Sequence, residues 1–222
     1  MYLNVTEEGK KKTLTAKTCI KILGVHIDEQ LTWNQQVNAV NKKAKYAIRN
    51  LQRVNQLLPR KCRMTLYNSL VACHFNYADT VWAGCSTSNK KKLQRTQNIA
   101  AKSIAGIARN TPSETALKEA KLLCLEEKRK IHEAVYIHKG LAGKLPTAIN
   151  REYSELRSLK QNRSAERAII TIPLHRNEQF KNSPLYRTIK TWNSIPQEIK
   201  EIENTSTFKN SYQNHLINIA KI

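Results

Sequence analysis

Acidic side chains are almost missing from one long stretch of this sequence. Residues 30–113 contain 14 lysines and arginines but a single acid, Asp79. The whole chain of 222 residues has a formal net charge of +21, and this stretch holds more than half of the excess. A basic surface repels itself unless an anionic partner binds to it. The missing acids therefore indicate a polyanionic partner, with nucleic acid preferred and an anionic membrane surface as the alternative.

Three other features are scarce. Gly and Pro number six each, which favours helices over an all-β fold. The five cysteines are odd in number and form no CxxC pair, so we expect free thiols, no metal or other cofactor, and an intracellular location in the nucleus or cytoplasm. No apolar run approaches the ~20 residues of a membrane-spanning helix, and no signal peptide is recognisable.

The pattern of apolar residues predicts a mainly α fold, a multi-helix bundle with a small N-terminal β element. Residues 1–28 are rich in β-branched residues around a hairpin turn at Gly9. Gly24, inside an apolar run, indicates a bulge or a close approach of another backbone. Residues 144–183 are predicted to be loop with a short strand near 168–173.

Elsewhere apolar residues recur every three or four positions, which predicts helices. Asp28 or Thr32 is expected to cap the first helix, and Pro59 to end it and begin the second. The apolar face of the second helix is predicted to comprise Leu66, Tyr67, Leu70, Val71 and Cys73. A third helix is predicted over 87–107, a fourth that starts at Thr111 or Ser113, and a fifth that stops near Gly140 or Gly143. Further helices are predicted in the last 40 or so residues.

Several motifs then occur in a specific order over about 190 residues. They are "KILGVHIDEQLTWNQQVNAVNKKAKYAIRNL", "LPRKCRMTLYNSLVACHFNYADTVWAG", "LQRTQNIAAKSIAG", "TWNSIPQEIK" and "TFKNSYQNHL". Together they resemble the C-terminal part of the reverse transcriptases of non-LTR retrotransposons, particularly the jockey-like group. The matching residues of the first motif are Leu23, Gly24, Val25, Ile27, Asp28, Leu31, Thr32 and Trp33, and Ile195 stands where the family usually has Leu.

The resemblance implies a division into three parts. Residues 1–31 correspond to primer-grip and palm-edge strands, 32–110 to a thumb-like basic helical region, and 111–222 to a C-terminal helical extension. The family's endonuclease, fingers, most of the palm and catalytic aspartates correspond to sequence upstream of the Leu-Gly motif. We therefore expect no catalysis by this chain alone, Mg²⁺ only in a full polymerase, and the upstream polymerase region as a further partner.

The same resemblance and the charge pattern give the candidate nucleic-acid-binding residues. Leu23, Gly24 and Val25 resemble the primer grip, the alternative being an ordinary strand glycine in a small sheet. The candidate phosphate contacts are basic residues in three groups, the alternative being a solvated helix face. These groups are Lys42, Lys43, Lys45, Arg49 and Arg53; Arg60, Lys61 and Arg63; and Lys90, Lys91, Lys92 and Arg95.

The tripeptide Tyr77-Ala78-Asp79 matches three letters of the Tyr-Ala-Asp-Asp turn of reverse transcriptases, with Thr80 in the fourth place. Two-metal catalysis needs several converging carboxylates, and Asp79 is alone in its region. We expect Asp79 to act as a helix cap or as the partner of a nearby Lys or Arg. The three tryptophans, His26 and His138 are expected to be structural.

The partner predicted for this chain is RNA, DNA or an RNA–DNA hybrid, bound without dependence on sequence. Two alternatives are a free-standing basic helical module that binds acidic proteins or membranes, and a decayed element relic without a selected function.

Overall fold

The computed structural model describes residues 2–7, 10–15, 17–150 and 170–220. The chain begins with two separate antiparallel hairpins. In the first, β1 (Tyr2–Glu7) pairs with β2 (Lys10–Thr15). In the second, β3 (Cys19–Ile22) pairs with β4 (Val25–Asp28). The predicted β element is confirmed, whereas the turn predicted at Gly9 lies outside the described residues.

Gly24 occupies the tip of the second hairpin. Leu23 and Gly24 have φ of 46° and 85°, so both central residues of the turn are left-handed. Two such residues form the turn whose twist matches that of the flanking strands. The bulge considered for Gly24 is therefore a tight hairpin turn, and glycine avoids the steric penalty at its second position.

Helices make up most of the described chain, as predicted. They are α1 (Asn34–Val54), α2 (Arg60–Leu66), α3 (Cys73–Asn76), α4 (Asp79–Trp82), α5 (Thr87–Ala105), α6 (Ser113–Ala120), α7 (Leu125–Leu141), α8 (Pro184–Asn193), α9 (Gln197–Lys200) and α10 (Thr205–Ala220). Shorter 3₁₀ segments span Asn55–Leu57 and Glu178–Asn182. No helix among the described residues combines the length and apolarity needed to cross a bilayer.

Asp28 prepares the start of α1. Its carboxylate accepts hydrogen bonds from the amides of Thr32 and Trp33, both at 2.8 Å. Leu31 and Trp33 have positive φ, so this connection holds two non-glycine residues in a sparsely populated conformation. Burial raises the pKa of Asp28, but the hydrogen bonds to the carboxylate outweigh it and leave the pKa below the ordinary value of 3.8. The cap predicted at Asp28 or Thr32 is wrong in position, because Trp33 is the N-cap residue of α1 and Asp28 binds the backbone that precedes the helix.

The end of α1 follows the predicted proline signal. Leu58 is extended, with φ of −113° and ψ of 138°, and α2 begins directly after Pro59. Helices α2 and α3 are joined without a break by π-helical turns over Tyr67–Ala72.

These π turns change which residues of the second helix are buried. Tyr67 and Val71 are fully buried as predicted, but Leu70 is 44% exposed and Cys73 is also exposed. Ala72 and Phe75 are buried instead. A π turn bonds five residues apart rather than four, and this rotates the apolar face relative to a regular helix.

Two hydrophobic clusters stabilise the fold. The first is built mainly by α1, the Tyr67–Ala72 turns, α5 and α6, and it reaches Leu125 at the start of α7. The second is built by the rest of α7 together with α8 and α10. Trp33 and Trp82 belong to the first cluster and Trp192 to the second, which confirms the structural role predicted for all three.

The segment predicted as loop and strand differs from expectation. Residues 147–150 are helical and Glu178–Asn182 forms a 3₁₀ turn, while 151–169 lie outside the described residues. Residues 170–173, the described part of the predicted strand, are not in strand conformation and pair with none of the described strands. The side chain of Asn193 takes the place of a partner strand, because its amide oxygen accepts from Ile170 N and its amide nitrogen donates to Ile170 O, both at 2.9 Å.

Candidate nucleic-acid interface

A basic cleft of about 960 Å³ lies between α1, α2 and the C-terminal end of α5. Among the described residues five cations line it and no acid does: Lys45, Arg49, Arg63, Lys102 and Arg109. Neutral walls are supplied by Ile48, Gln52, Ile99 and Ser103, among others. The volume lies within the range of ligand-binding clefts, and the charge selects for an anion.

The packing of α1 against α5 brings these groups together. Asn89 Nδ2 donates to Asn34 Oδ1 at 2.8 Å, and Thr96 Oγ1 donates to Asn41 Oδ1 at 2.6 Å. These polar contacts lie about two helical turns apart along a shared face, so they fix the register of the two helices. Lys45 and Arg49 of α1 therefore line the same opening as Lys102 near the end of α5.

Two of the five cations also have structural partners. Arg63 donates from Nε to Leu58 O at 2.8 Å and from Nη1 to Ile104 O at 3.3 Å, so it binds a carbonyl at the C-terminal end of α5. Lys102 Nζ donates to Arg109 O at 2.6 Å. Cations near the end of a helix are favourable for structure alone.

The side chains of Lys45, Arg49 and Arg109 have no such partner in the described part of the chain. All three are exposed, and no carboxylate among the described residues forms an ion pair with them. An exposed lysine or arginine without a local acid keeps its full charge for an external anion. These three residues are therefore the sharpest probes of the cleft.

The sequence prediction and the cleft overlap only in part. Lys45, Arg49 and Arg63 were predicted and line it, whereas Lys102 and Arg109 were missed. Their signal was present in the sequence, since both fall in the stretch that contains one acid. Nothing in the sequence indicated that the end of α5 lies beside the middle of α1.

The other predicted basic residues lie elsewhere. Lys42 and Lys43 line a largely apolar groove with Tyr46, Leu70 and His74, and burial together with the charge of Lys43 lowers the pKa of His74. Lys92 donates to Asn38 Oδ1, and Lys90 lines a separate pocket between α7 and α8. The remaining five are exposed on the surface, with Arg60 and Lys61 in the first turn of α2: Arg53, Arg60, Lys61, Lys91 and Arg95.

The hairpin tip predicted as a primer grip is held by the "NYADTVW" segment. The Tyr77 hydroxyl donates to Leu23 O, and a methyl group built on Gly24 would lie 3.6 Å from the Tyr77 ring. Trp82 Nε1 in turn donates to Tyr77 O at 3.0 Å. Leu23 is 86% exposed at the tip, while Val25 is buried. Two motifs that are far apart in sequence thus meet at this hairpin.

Asp79 is buried and has a histidine as its partner. Asp79 is the first residue of the short helix α4. Its Oδ2 lies 2.6 Å from Nδ1 of His132 in α7. The predicted hydrogen-bond partner, a nearby Lys or Arg, is wrong, because α7 brings His132 to Asp79 from 53 residues away. The predicted role as a helix cap is also wrong, because Ala78 is the N-cap residue of α4 and no side chain caps that helix. Among the described residues no three His, Cys, Asp or Glu side chains are grouped as a metal site requires.

Comparison with known proteins gives no relative for this arrangement. No protein-family model, curated protein or solved structure matches the chain. The resemblance to reverse transcriptases of non-LTR retrotransposons therefore rests on the motifs of the sequence.

Proposed function

We propose that this chain binds nucleic acid through phosphate contacts in the cleft between α1, α2 and α5, as the thumb-side part of a reverse transcriptase of a non-LTR retrotransposon. The observation that carries the proposal is the clustering of five cations with no acid beside them in the described part of the chain. RNA, DNA and RNA–DNA hybrids all present the phosphate backbone that such a cleft would contact. This chain contributes binding and positioning, and nucleotide transfer belongs to the upstream polymerase region.

The physical basis is counterion release. Each phosphate that a lysine or arginine neutralises frees a condensed counterion, which favours binding at low salt and makes it independent of sequence. Lys45 and Arg49 are one helical turn apart on α1, so their side chains can follow consecutive phosphates along one strand. Arg109 approaches from the end of α5 on the other wall.

The experiment compares two double variants of equal charge. Lys45→Gln with Arg49→Gln removes two cations from the cleft, and Lys139→Gln with Arg176→Gln removes two exposed cations that do not line it. Binding of an RNA–DNA hybrid by the full chain is measured at about 50 mM salt. We expect the cleft variant to bind about 10-fold more weakly or worse, because two charge-assisted contacts are lost.

The control variant has the same net charge and should bind within about twofold of the unaltered chain. Equal weakening by both variants would show that net charge alone, rather than the cleft, drives association. No binding by the unaltered chain would overturn the proposal.

The alternative of a membrane-binding or acidic-protein-binding module is tested in the same assay. Anionic liposomes and an acidic peptide are added as competitors of the hybrid at equal charge concentration. Preference for the hybrid supports the proposed function, whereas stronger displacement by liposomes or peptide supports the alternative module.

A further inference from the structure

A second basic pocket, of about 460 Å³, lies between the start of α5, α7 and α8. Its lining has more cations than acids, and one of the cations, Arg187, is already paired with an acid. Arg187 donates from Nε to Glu133 Oε1 at 2.8 Å and also binds the carbonyls of Asn182 and Thr80. The groups that remain are Lys90, Arg129, Lys130 and Lys190, with Glu126 as the other acid.

Arg129 is the unusual member of this pocket. It is 7% exposed, and its guanidinium carbon lies 4.8 Å from the centre of the buried Trp82 ring. Its Nη2 is buried and has no hydrogen-bond partner among the described residues. Buried donors without a partner are rare, and a buried charged donor is costly. Such a group indicates that an acceptor joins the pocket from outside.

Three cations lie near the neutral thiol of Cys85, and of these Arg187 is paired with the carboxylate of Glu133. Burial raises the pKa of the Cys85 thiol, and the nearby cations Arg129, Lys90 and Arg187 only partly oppose this. The thiol therefore stays neutral and does not compensate the cations. Lys90 lies in the first turn of α5, where a positive side chain is unfavourable unless an anion is close.

We infer that this pocket binds a phosphate group, with Arg129 as the buried anchor and Lys130 and Lys190 at its rim. A guanidinium matches a phosphate with two parallel hydrogen bonds, and the ring of Trp82 holds the guanidinium in place. The pocket does not depend on the α1–α5 cleft, because Lys90 and Lys102 lie about 18 Å apart along α5 at 1.5 Å per residue. The phosphate comes either from the end of a nucleic-acid strand or from a small phosphorylated compound.

The test uses the full chain carrying Lys45→Gln and Arg49→Gln, so that the first cleft is weakened. Inorganic pyrophosphate is titrated by calorimetry at about 50 mM salt. Adding Lys130→Gln and Lys190→Gln should weaken its binding about 10-fold, whereas adding Lys139→Gln and Lys144→Gln should leave it within about twofold. The inference would be overturned if both added pairs of substitutions gave the same pyrophosphate affinity. It would also be overturned if the chain with only Lys45→Gln and Arg49→Gln bound no pyrophosphate.

Arg129→Lys examines the anchor itself. Lysine keeps the charge but cannot donate the two parallel hydrogen bonds of a guanidinium. Pyrophosphate binding should therefore weaken several-fold, while the midpoint of unfolding stays unchanged. Unchanged binding by a folded Arg129→Lys chain would contradict the assignment of Arg129.

Two oligonucleotides of the same sequence, one with a 5′-phosphate and one with a 5′-hydroxyl, distinguish a strand end from a small phosphorylated compound as the ligand. A preference for the phosphorylated strand that is lost in Lys130→Gln with Lys190→Gln supports a strand end as the ligand. Equal binding of both strands, with selective pyrophosphate binding retained, supports a small phosphorylated compound. Both results support a phosphate site in this pocket. If the α1–α5 cleft failed to bind the hybrid, the proposed function would fail, but the pyrophosphate test of this pocket would still hold.

Discussion

The cations around the two hydrophobic clusters differ in whether they have partners within the chain. Around the first, the cations of the α1–α5 cleft have no acid beside them among the residues that the structure describes. Around the second, Arg187 is paired with Glu133, and Lys200 lies 5.7 Å from the ring of Trp192. Both regions are basic, so net charge does not distinguish them. The difference shows that the position of the acids matters more than net charge. A cation beside an acid contributes to folding, whereas a cation without one keeps its charge for an external anion.

The largest effect is expected where a buried pair is broken in the second region. Glu133 is 5% exposed and accepts from Arg187 Nε and Thr191 Oγ1, each at 2.8 Å. Glu133→Gln leaves Arg187 without its counter-charge in a buried site, so the free energy of unfolding should fall by about 3–5 kcal/mol. Chemical denaturation measures this loss.

The control for that prediction is Lys139→Gln on the exposed side of the same helix. Its effect should stay within about 0.5 kcal/mol. A loss below about 1 kcal/mol in Glu133→Gln would mean that the carbonyls of Asn182 and Thr80 satisfy Arg187 without the carboxylate.

A smaller effect is expected at Asp28, the acid that precedes the first region. Its carboxylate binds the backbone of Thr32 and Trp33 and none of the cations of the cleft. Asp28→Ala should lower the free energy of unfolding by about 1–3 kcal/mol at neutral pH, because hydrogen bonds to a charged acceptor are lost.

The pH dependence of this contribution has a definite sign. Because the pKa of Asp28 is lowered in the folded chain, its contribution is present above the ordinary value of 3.8 and is lost as pH falls through the lower folded value. The stability difference between the unaltered chain and Asp28→Ala should therefore narrow below about pH 4. A constant difference from pH 7 to pH 2 would contradict this account of the carboxylate.

The smallest effect on stability, but an informative one, comes from placing an acid in the first region. Gln52 lines the cleft one turn from Arg49, so Gln52→Glu creates an ion pair at i,i+3. The free energy of unfolding should rise by about 0.2–0.5 kcal/mol, while the affinity for hybrid falls several-fold. A more stable chain with unchanged binding would show that the cleft is a solvated surface and not an interface.

The sequence predicted the local features well because local rules govern them. The helix ending before Pro59 and the burial of the tryptophans depend on nearby residues and on apolar spacing. The hairpin turn at Gly24 was not predicted, because a glycine inside an apolar run also fits a bulge or a close backbone approach. The π turns were missed because bonding five residues apart leaves apolar spacing that also fits an ordinary helix. The partner of Asp79 and the contribution of Lys102 to the cleft were missed because they depend on how distant helices pack.

The salt dependence of hybrid binding tests the central claim most directly. If Lys45, Arg49 and Arg109 each neutralise one phosphate, log K should fall against log salt with a slope of about −2.7 or steeper, a loss of at least about 40-fold between 50 and 200 mM. The variant Lys45→Gln with Arg49→Gln should have a slope shallower by about 1.8, and Lys139→Gln with Arg176→Gln an unchanged slope. A flat dependence, or a slope that the cleft variant leaves unchanged, would contradict phosphate binding in this cleft.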